Sequence, residues 1–148
     1  MLLRSIEYKT PNILIPLFKS LVRPILEYAN TVWSPYKRKH IDLLENIQRS
    51  FSKRVLGMYN LEYCQRLEKL NLPSLEFRRM RGDLIETYKV LHDIYDPVTT
   101  RELLSLNSSS TRGHNFKLSK NLSHLNNYKY FFVNRIVNLW NQLPALHR

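Results

Sequence analysis

The chain has 148 residues, 43% hydrophobic and 24% charged, a composition typical of one globular domain that folds without a disulfide or a metal. Its formal net charge is +11, from 23 Lys and Arg against 12 Asp and Glu, and this excess favours a polyanionic partner, nucleic acid ahead of an anionic membrane surface. One cysteine, three glycines and no run of about 20 apolar residues argue against a disulfide scaffold, a β-sandwich and a membrane-spanning protein.

The first residues do not have the pattern of a secretory signal. Arg4 and Glu7 interrupt any apolar region there. We therefore expect an intracellular protein, nuclear or cytoplasmic, that is not secreted.

The first predicted helix begins at Thr10-Pro11, where a hydroxyl N-cap precedes a proline at the first helical position. Helical spacing of apolar residues continues to Ile25. Pro16 and Pro24 should kink or break this helix, because proline lacks the N–H that continues the ladder. Pro24 should divide it, and residues 25–28 should resume its direction. The apolar positions are Ile13, Leu14, Leu17, Phe18, Leu21, Val22 and Ile25.

The second predicted helix is long and begins at Ser34-Pro35. It should end near Gly57, which suits a left-handed C-cap. One face recurs at spacings of three and four residues and consists of Ile41, Leu44, Gln48, Phe51, Val55 and Met58.

Two more helices are predicted between residues 60 and 97. A short one, about 62–70, follows Asn60 as its cap, and a long one follows Ser74 and stops at Asp96-Pro97. Gly82 inside the long helix indicates either a close backbone neighbour or a defect that costs ~1 kcal/mol. The apolar stripe predicted for the long helix is Phe77, Met80, Leu84, Tyr88, Leu91 and Tyr95.

The last third is a basic appendage. Residues 103–148 contain six basic residues and no acidic one. Residues 107–113 have the composition of a loop, 114–120 alternate weakly as an extended segment does, and 127–142 predict an amphipathic helix. The fold class predicted is therefore all-α: a helical bundle over residues 1–106, then a basic appendage over 107–148 that ends in an amphipathic helix.

The sequence contains no recognisable catalytic, metal-binding or cofactor-binding motif. No two aspartates are adjacent, the five histidines lack metal-ligand spacing, and there is no Gly-rich phosphate loop. Glu45 with Arg49, and Arg79 with Asp83, have the spacing of ordinary ion pairs within a helix. We expect no catalytic residue, no metal and no cofactor in this chain.

The basic residues do form a pattern. Some project away from the apolar faces of the two long helices, and a cluster at residues 37–39 opposes the helix dipole, so helix stability does not explain it. An external phosphate backbone explains it, and a solvated face is the alternative. The candidate nucleic-acid-binding residues are Lys37, Arg38, Lys39, Arg49, Lys53, Arg78 and Arg81, with Arg112, Lys117 and Lys120 in the appendage.

Short motifs within four segments, in one order along the chain, carry a family resemblance. The segment LFKSLVRPILEYANTVWSPYKRKHIDLLENIQR resembles the region after the palm domain in jockey-like reverse transcriptases of non-LTR retrotransposons. LNLPSLEFRRMRGDLIETYKVL, TRGHNFKL and YFFVNRIVNLWNQLP are similar to later motifs of that family. The similarity extends in order from about residue 10 to residue 145.

The resemblance implies the thumb and C-terminal end of an RNA-directed DNA polymerase. The family's catalytic aspartate pair belongs to its palm and has no equivalent here, so we do not expect this chain to polymerise DNA by itself. The implied partner is an RNA–DNA or DNA duplex contacted through its phosphates, and a palm domain in the parent polymerase. The alternative is a helical protein-interaction module that uses the apolar segment 11–33 and has no role with nucleic acid.

Overall fold

The computed structural model describes residues 6–100, 102–107 and 116–144, and they are mostly helical. Within these ranges there is no strand beyond an isolated antiparallel bridge between Leu106 and Leu118. The all-α prediction is confirmed. The helices are α1 Pro11–Leu17, α2 Arg23–Glu27, α3 Arg38–Lys53, α4 Tyr63–Lys69, α5 Leu75–Leu91, α6 Pro97–Thr100, α7 Asn126–Lys129 and α8 Phe132–Asn141, with a π-helical turn, Phe18–Val22, between α1 and α2.

The chain packs as two compact units. The first contains residues 1–28 and 35–79, and the second contains residues 29–34 and 80–148. Helix α5 begins in the first unit and ends in the second. The domain boundary predicted between residues 106 and 107 borders the undescribed segment 108–115 and stays a prediction.

The first unit has its core where α1, the π-turn and α3 meet. Phe18 and Phe51 stack with ring centroids 4.3 Å apart, and both are nearly fully buried. Burying a side chain of this size stabilises a fold by ~1.5–3 kcal/mol. The other buried members of this core are Leu14, Leu26, Val55, Leu70, Leu72 and Leu75.

The π-turn marks the division predicted at Pro24. The N–H of Arg23 donates to the carbonyl of Phe18, five residues earlier. Pro24 has no N–H to donate, and its ring would clash with the carbonyl four residues before it in a regular α-helix. The wider turn before Pro24 accommodates the proline and lets α2 continue.

Several predicted helix ends differ from those in the structure. Helix α3 begins at Arg38, three residues beyond Ser34-Pro35, and ends at Lys53. Gly57 does have a left-handed φ of +78°, but it closes the turn after the helix. The hydroxyl of Thr10 makes no capping hydrogen bond, and α4 is capped by Glu62 instead of Asn60, since the Glu62 N–H donates to Gln65 Oε1 at 3.2 Å.

The predicted apolar stripe of α5 is wrong at four of its six positions, whereas Leu84 and Leu91 are partly buried against the second core as predicted. Phe77, Met80, Tyr88 and Tyr95 are exposed, whereas Leu75, Arg79, Asp83 and Thr87 are buried at a spacing of four. Three of the four buried residues are polar, so the hydrophobic pattern alone does not indicate them. Ser74 caps the helix as predicted, because its Oγ accepts the Phe77 N–H at 3.2 Å.

The second unit joins α5 to the C-terminal helices through buried polar contacts. Arg135 of α8 forms two hydrogen bonds with Asp83, at 2.8 and 2.9 Å, and one with the carbonyl of Asn30 at 2.9 Å. Asp83 was predicted to pair with Arg79. A Cβ at Gly82 would lie 3.7 Å from Asn30 Nδ2, an ordinary contact, so Gly82 marks no close backbone approach.

The predicted closing helix is divided in two at Tyr130-Phe131, and its second part is amphipathic, as predicted. Phe132, Ile136 and Trp140 are buried together with Leu118. The Trp140 indole donates to the Phe116 carbonyl at 2.7 Å. This bond and the isolated bridge between Leu106 and Leu118 hold the segment 116–118 in place. The extended conformation predicted for 114–120 stays a prediction. The predicted loop at 107–113 lies outside the described residues beyond Asn107.

Helices in the described part of the chain are all too short or too polar to cross a bilayer.

The buried carboxylate of Glu45 fastens α3 to two other helices. It accepts hydrogen bonds from the N–H groups of Leu75 at 3.0 Å and Glu76 at 3.3 Å, the first residues of α5, and from the hydroxyl of Tyr63 in α4. The negative charge of Glu45 at the N-terminal end of α5 also interacts favourably with the dipole of that helix. The predicted ion pair between Glu45 and Arg49 is wrong, because the carboxylate is used across helices.

Replacing Glu45 by Gln should lower the free energy of unfolding by about 1.5–3 kcal/mol, because the amide carries no charge and its NH₂ group faces N–H donors. Asp42→Asn is the matched control on the same helix: Asp42 is half-exposed and pairs with the exposed Arg38, which is worth less than ~1 kcal/mol. Urea unfolding followed by circular dichroism measures both. Equal stability of the two variants would contradict the role of Glu45.

Candidate nucleic-acid interface

The exposed surface of α3 carries a row of polar residues beside the apolar side chains of Leu43 and Ile47. The inner side of α3 buries Glu45, Gln48, Phe51 and Ser52, so the residues that point away from the core are exposed. Lys39, Asn46 and Lys53 recur at intervals of seven, about two turns, and so form a row that spans about 21 Å at ~1.5 Å per residue. Arg49 and Ser50 lie beside these three residues. We call all five residues the α3 row: Lys39, Asn46, Arg49, Ser50 and Lys53.

Aromatic rings orient two of its cations. The Arg49 guanidinium lies 4.9 Å from the centre of the Tyr63 ring, and the Lys53 ammonium lies 4.7 Å from that of Tyr59. Burial and the hydrogen bond to Glu45 raise the pKa of Tyr63 well above its ordinary value, so its hydroxyl stays protonated. Tyr63 is therefore a fixed neutral platform beneath Arg49, and both cations remain exposed.

The basic cluster at the start of α3 is partly neutralised. Arg38 forms ion pairs with Asp42 and Glu76, each at 3.1 Å, and these carboxylates, Glu76 first, raise the pKa of its guanidinium. Lys37 and Lys39 are exposed, and Lys37 lies 5.9 Å from the Tyr36 ring centre. Of the three predicted cations at residues 37–39, Arg38 is therefore the one whose charge is neutralised by carboxylates.

Arg78 is the remaining predicted residue of the first unit, and its charge is matched by an acid. Arg78 is half-buried and binds Glu27 through two guanidinium nitrogens, one at 2.8 Å; those hydrogen bonds raise its pKa. Arg81, Lys117 and Lys120 belong to the second unit, where Arg81 and Lys120 are exposed and Lys117 is partly buried. Arg112 lies outside the described residues.

A pocket of about 560 Å³ at the C-terminal end of α3 contains cations that the sequence did not indicate. Lys9 and Arg54 line it together with Lys53 and Tyr59. The N–H of Leu56 donates to the carbonyl of Lys9 at 2.8 Å, and this tertiary bond brings the segment before α1 to the end of α3. The sequence KRVLGMY, residues 53–59, combines two basic residues with Tyr59 and is the one local indication of this pocket. Nothing in the sequence around Lys9 indicates that it contributes.

No metal-binding cluster exists in the part of the chain that the structure describes. Nowhere in it do three or more His, Cys, Asp or Glu side chains lie close enough to hold an ion. Asp42 and Asp83, two of the four aspartates, are paired with Arg38 and Arg135.

No family model matches the chain. It is similar to an uncharacterized protein of Caenorhabditis elegans, B0403.1, with 29% identity over 97 residues, which is 64% of this chain and 49% of that relative. The chain thus spans about half the length of the relative that it matches. No solved structure matches it.

Proposed function

We propose that this chain is the nucleic-acid-holding thumb of a non-LTR retrotransposon reverse transcriptase without its catalytic palm. The observation that carries the proposal is the α3 row, an exposed set of cations and hydrogen-bond donors on one rigid helix. The motif order that resembles the jockey-like family supports the same assignment.

The chemistry of the α3 row suits a phosphate backbone. Lys39, Arg49 and Lys53 supply positive charge, while Asn46 and Ser50 supply neutral donors between them. A row about 21 Å long, at ~1.5 Å per residue, can follow several phosphates of a duplex. Contacts of this kind position a template–primer duplex and read no base sequence.

Changing Arg49 and Lys53 together to Glu should weaken binding to RNA–DNA hybrids of every sequence alike. With about four to six phosphates contacted, the slope of log affinity against log salt should be roughly −4 to −5 in the natural chain. In the variant it should become shallower by about two, one for each lost contact. Fluorescence anisotropy with a labelled hybrid at several salt concentrations measures both slopes.

Lys19→Glu with Lys69→Glu is the matched control, since both lysines are exposed, lie in the first unit and give the same change in net charge. The control should keep the steep slope apart from a small loss from the altered net charge. Equal binding by the Arg49/Lys53 variant across the salt range would remove both residues from the proposed surface. It would leave the appendage cations as the candidates.

The purified chain should not extend a primer, because the palm aspartates of the family have no equivalent in it. The assay supplies template–primer, all four deoxynucleotides and Mg²⁺ or Mn²⁺, and follows primer length on a gel. Extension above background that disappears when a carboxylate of this chain is replaced would overturn the non-catalytic assignment.

An apolar groove favours a second candidate, a protein-docking module. The groove has a volume of about 490 Å³ and lies between the α1–π-turn segment and α3. Leu17 and Val22 line one side, and the exposed Leu43 and Ile47 line the other. The occupant that the family resemblance implies is the palm of the parent polymerase. Trp33, which was predicted to share this surface, belongs to the second unit.

Replacing Leu43 and Ile47 by Gln should reduce self-association of the isolated chain, because both side chains expose apolar surface to solvent. Sedimentation velocity measures the change, and hybrid binding should be retained. A variant that unfolds, or a natural chain that is strictly monomeric at high concentration, would contradict an unpartnered groove.

A further inference from the structure

We propose that the pocket at the C-terminal end of α3 binds one unpaired nucleotide of a strand that extends beyond the duplex. Lys9, Lys53 and Arg54 would hold its phosphate, and Tyr59 would stack on its base. This inference rests on the proposed function, since it places the unpaired nucleotide next to a duplex held on the α3 row.

The charge of the pocket suits a phosphate. Three of the residues that line it are cations, and no carboxylate is among the described residues of its wall. Arg38, at the other end of α3, contrasts with them because it forms ion pairs with Asp42 and Glu76. The pocket therefore concentrates positive charge without an internal counter-charge.

The backbone keeps this pocket open. Gly57 has a φ of +78°, and a Cβ built there would meet no atom within 4 Å, so the chain turns away without filling the space. The hydrogen bond from Leu56 to the Lys9 carbonyl fixes the opposite wall. The pocket walls are thus positioned by backbone contacts, while the side chains of Lys9 and Tyr59 remain exposed.

An aromatic side chain on the wall selects a nucleotide over inorganic phosphate. Tyr59 is 70% exposed, and the Lys53 ammonium lies over one face of its ring, 4.7 Å from the centre. An unpaired base would stack on the opposite face, and such stacking does not depend on the identity of the base. About 560 Å³ suits a small ligand and is too little for a duplex.

Lys53 connects the pocket to the α3 row, since it belongs to both. A duplex that follows α3 from Lys39 toward Lys53 therefore reaches the pocket at its end. There, only a strand without a paired partner can enter. The structure in this way assigns the single-stranded template or primer extension to the end of α3.

The experiment compares a blunt RNA–DNA hybrid with the same hybrid carrying a three-nucleotide extension, either normal or abasic. In the natural chain the normal extension should tighten binding about five-fold or more, and the abasic extension by less, because it lacks the base that stacks. Lys9→Gln should remove most of the gain and leave blunt-hybrid affinity unchanged. Tyr59→Leu should also remove most of the gain, with a smaller loss of blunt-hybrid affinity because its ring contacts Lys53 of the α3 row. Lys69→Gln, on an exposed lysine outside the pocket, should change neither, and circular dichroism checks the fold of every variant.

The outcomes separate this inference from the proposed function. A natural chain that binds the blunt hybrid but gains nothing from the extension overturns the pocket assignment alone, as does a gain that Lys9→Gln and Tyr59→Leu both retain. A chain that binds only the extended hybrid, with binding lost in both variants, supports the pocket and overturns the duplex-holding function. A gain equal for normal and abasic extensions overturns the role of Tyr59 as a stacking surface.

Discussion

The buried carboxylate of Glu45 is the constraint on which the candidate surface depends. It caps the first N–H groups of α5 and holds the hydroxyl of Tyr63, so α3, α4 and α5 are fixed at one point. Tyr63 in turn supports the guanidinium of Arg49 from below. The Glu45 carboxylate on the inner side of α3 thus positions, through Tyr63, the Arg49 guanidinium on the outer side. The core and the proposed binding surface therefore share one helix.

The inner side of α3 packs in an apolar core, whereas its outer side carries cations. Residues of the two kinds lie next to each other in the sequence. Phe51 and Val55 close the core of the first unit, while Lys53 and Arg54 beside them form the wall of a basic pocket. The cations lie on a helix that the core holds in place, so the proposed binding of a phosphate backbone would cost little backbone conformational freedom. That is the physical basis for proposing α3, instead of the longer α5, as the contact element.

Short sequence signals predicted where helices form. The features that these signals did not predict depend on contacts between residues far apart in the chain. Four features were predictable because each depends on one residue and its neighbours in the chain. They are the start of α1 at Pro11, the division at Pro24, the cap of α5 by Ser74 and the left-handed turn at Gly57. The buried side of α5 was not predictable, because Asp83 is buried by its bond to Arg135, 52 residues away. Lys9 was missed for the same reason: a backbone bond to Leu56 alone brings it to the candidate pocket.

Hydrogen–deuterium exchange with and without a saturating RNA–DNA hybrid would map the contact surface without any substitution. If the α3 row holds the duplex, peptides that cover residues 38–59, which contain the α3 row and the pocket wall, should exchange more slowly with the hybrid bound. Peptides from α8 should exchange at the same rate in both samples. Protection confined to residues 116–144, or no change across 38–59 while the hybrid is bound, would contradict the account.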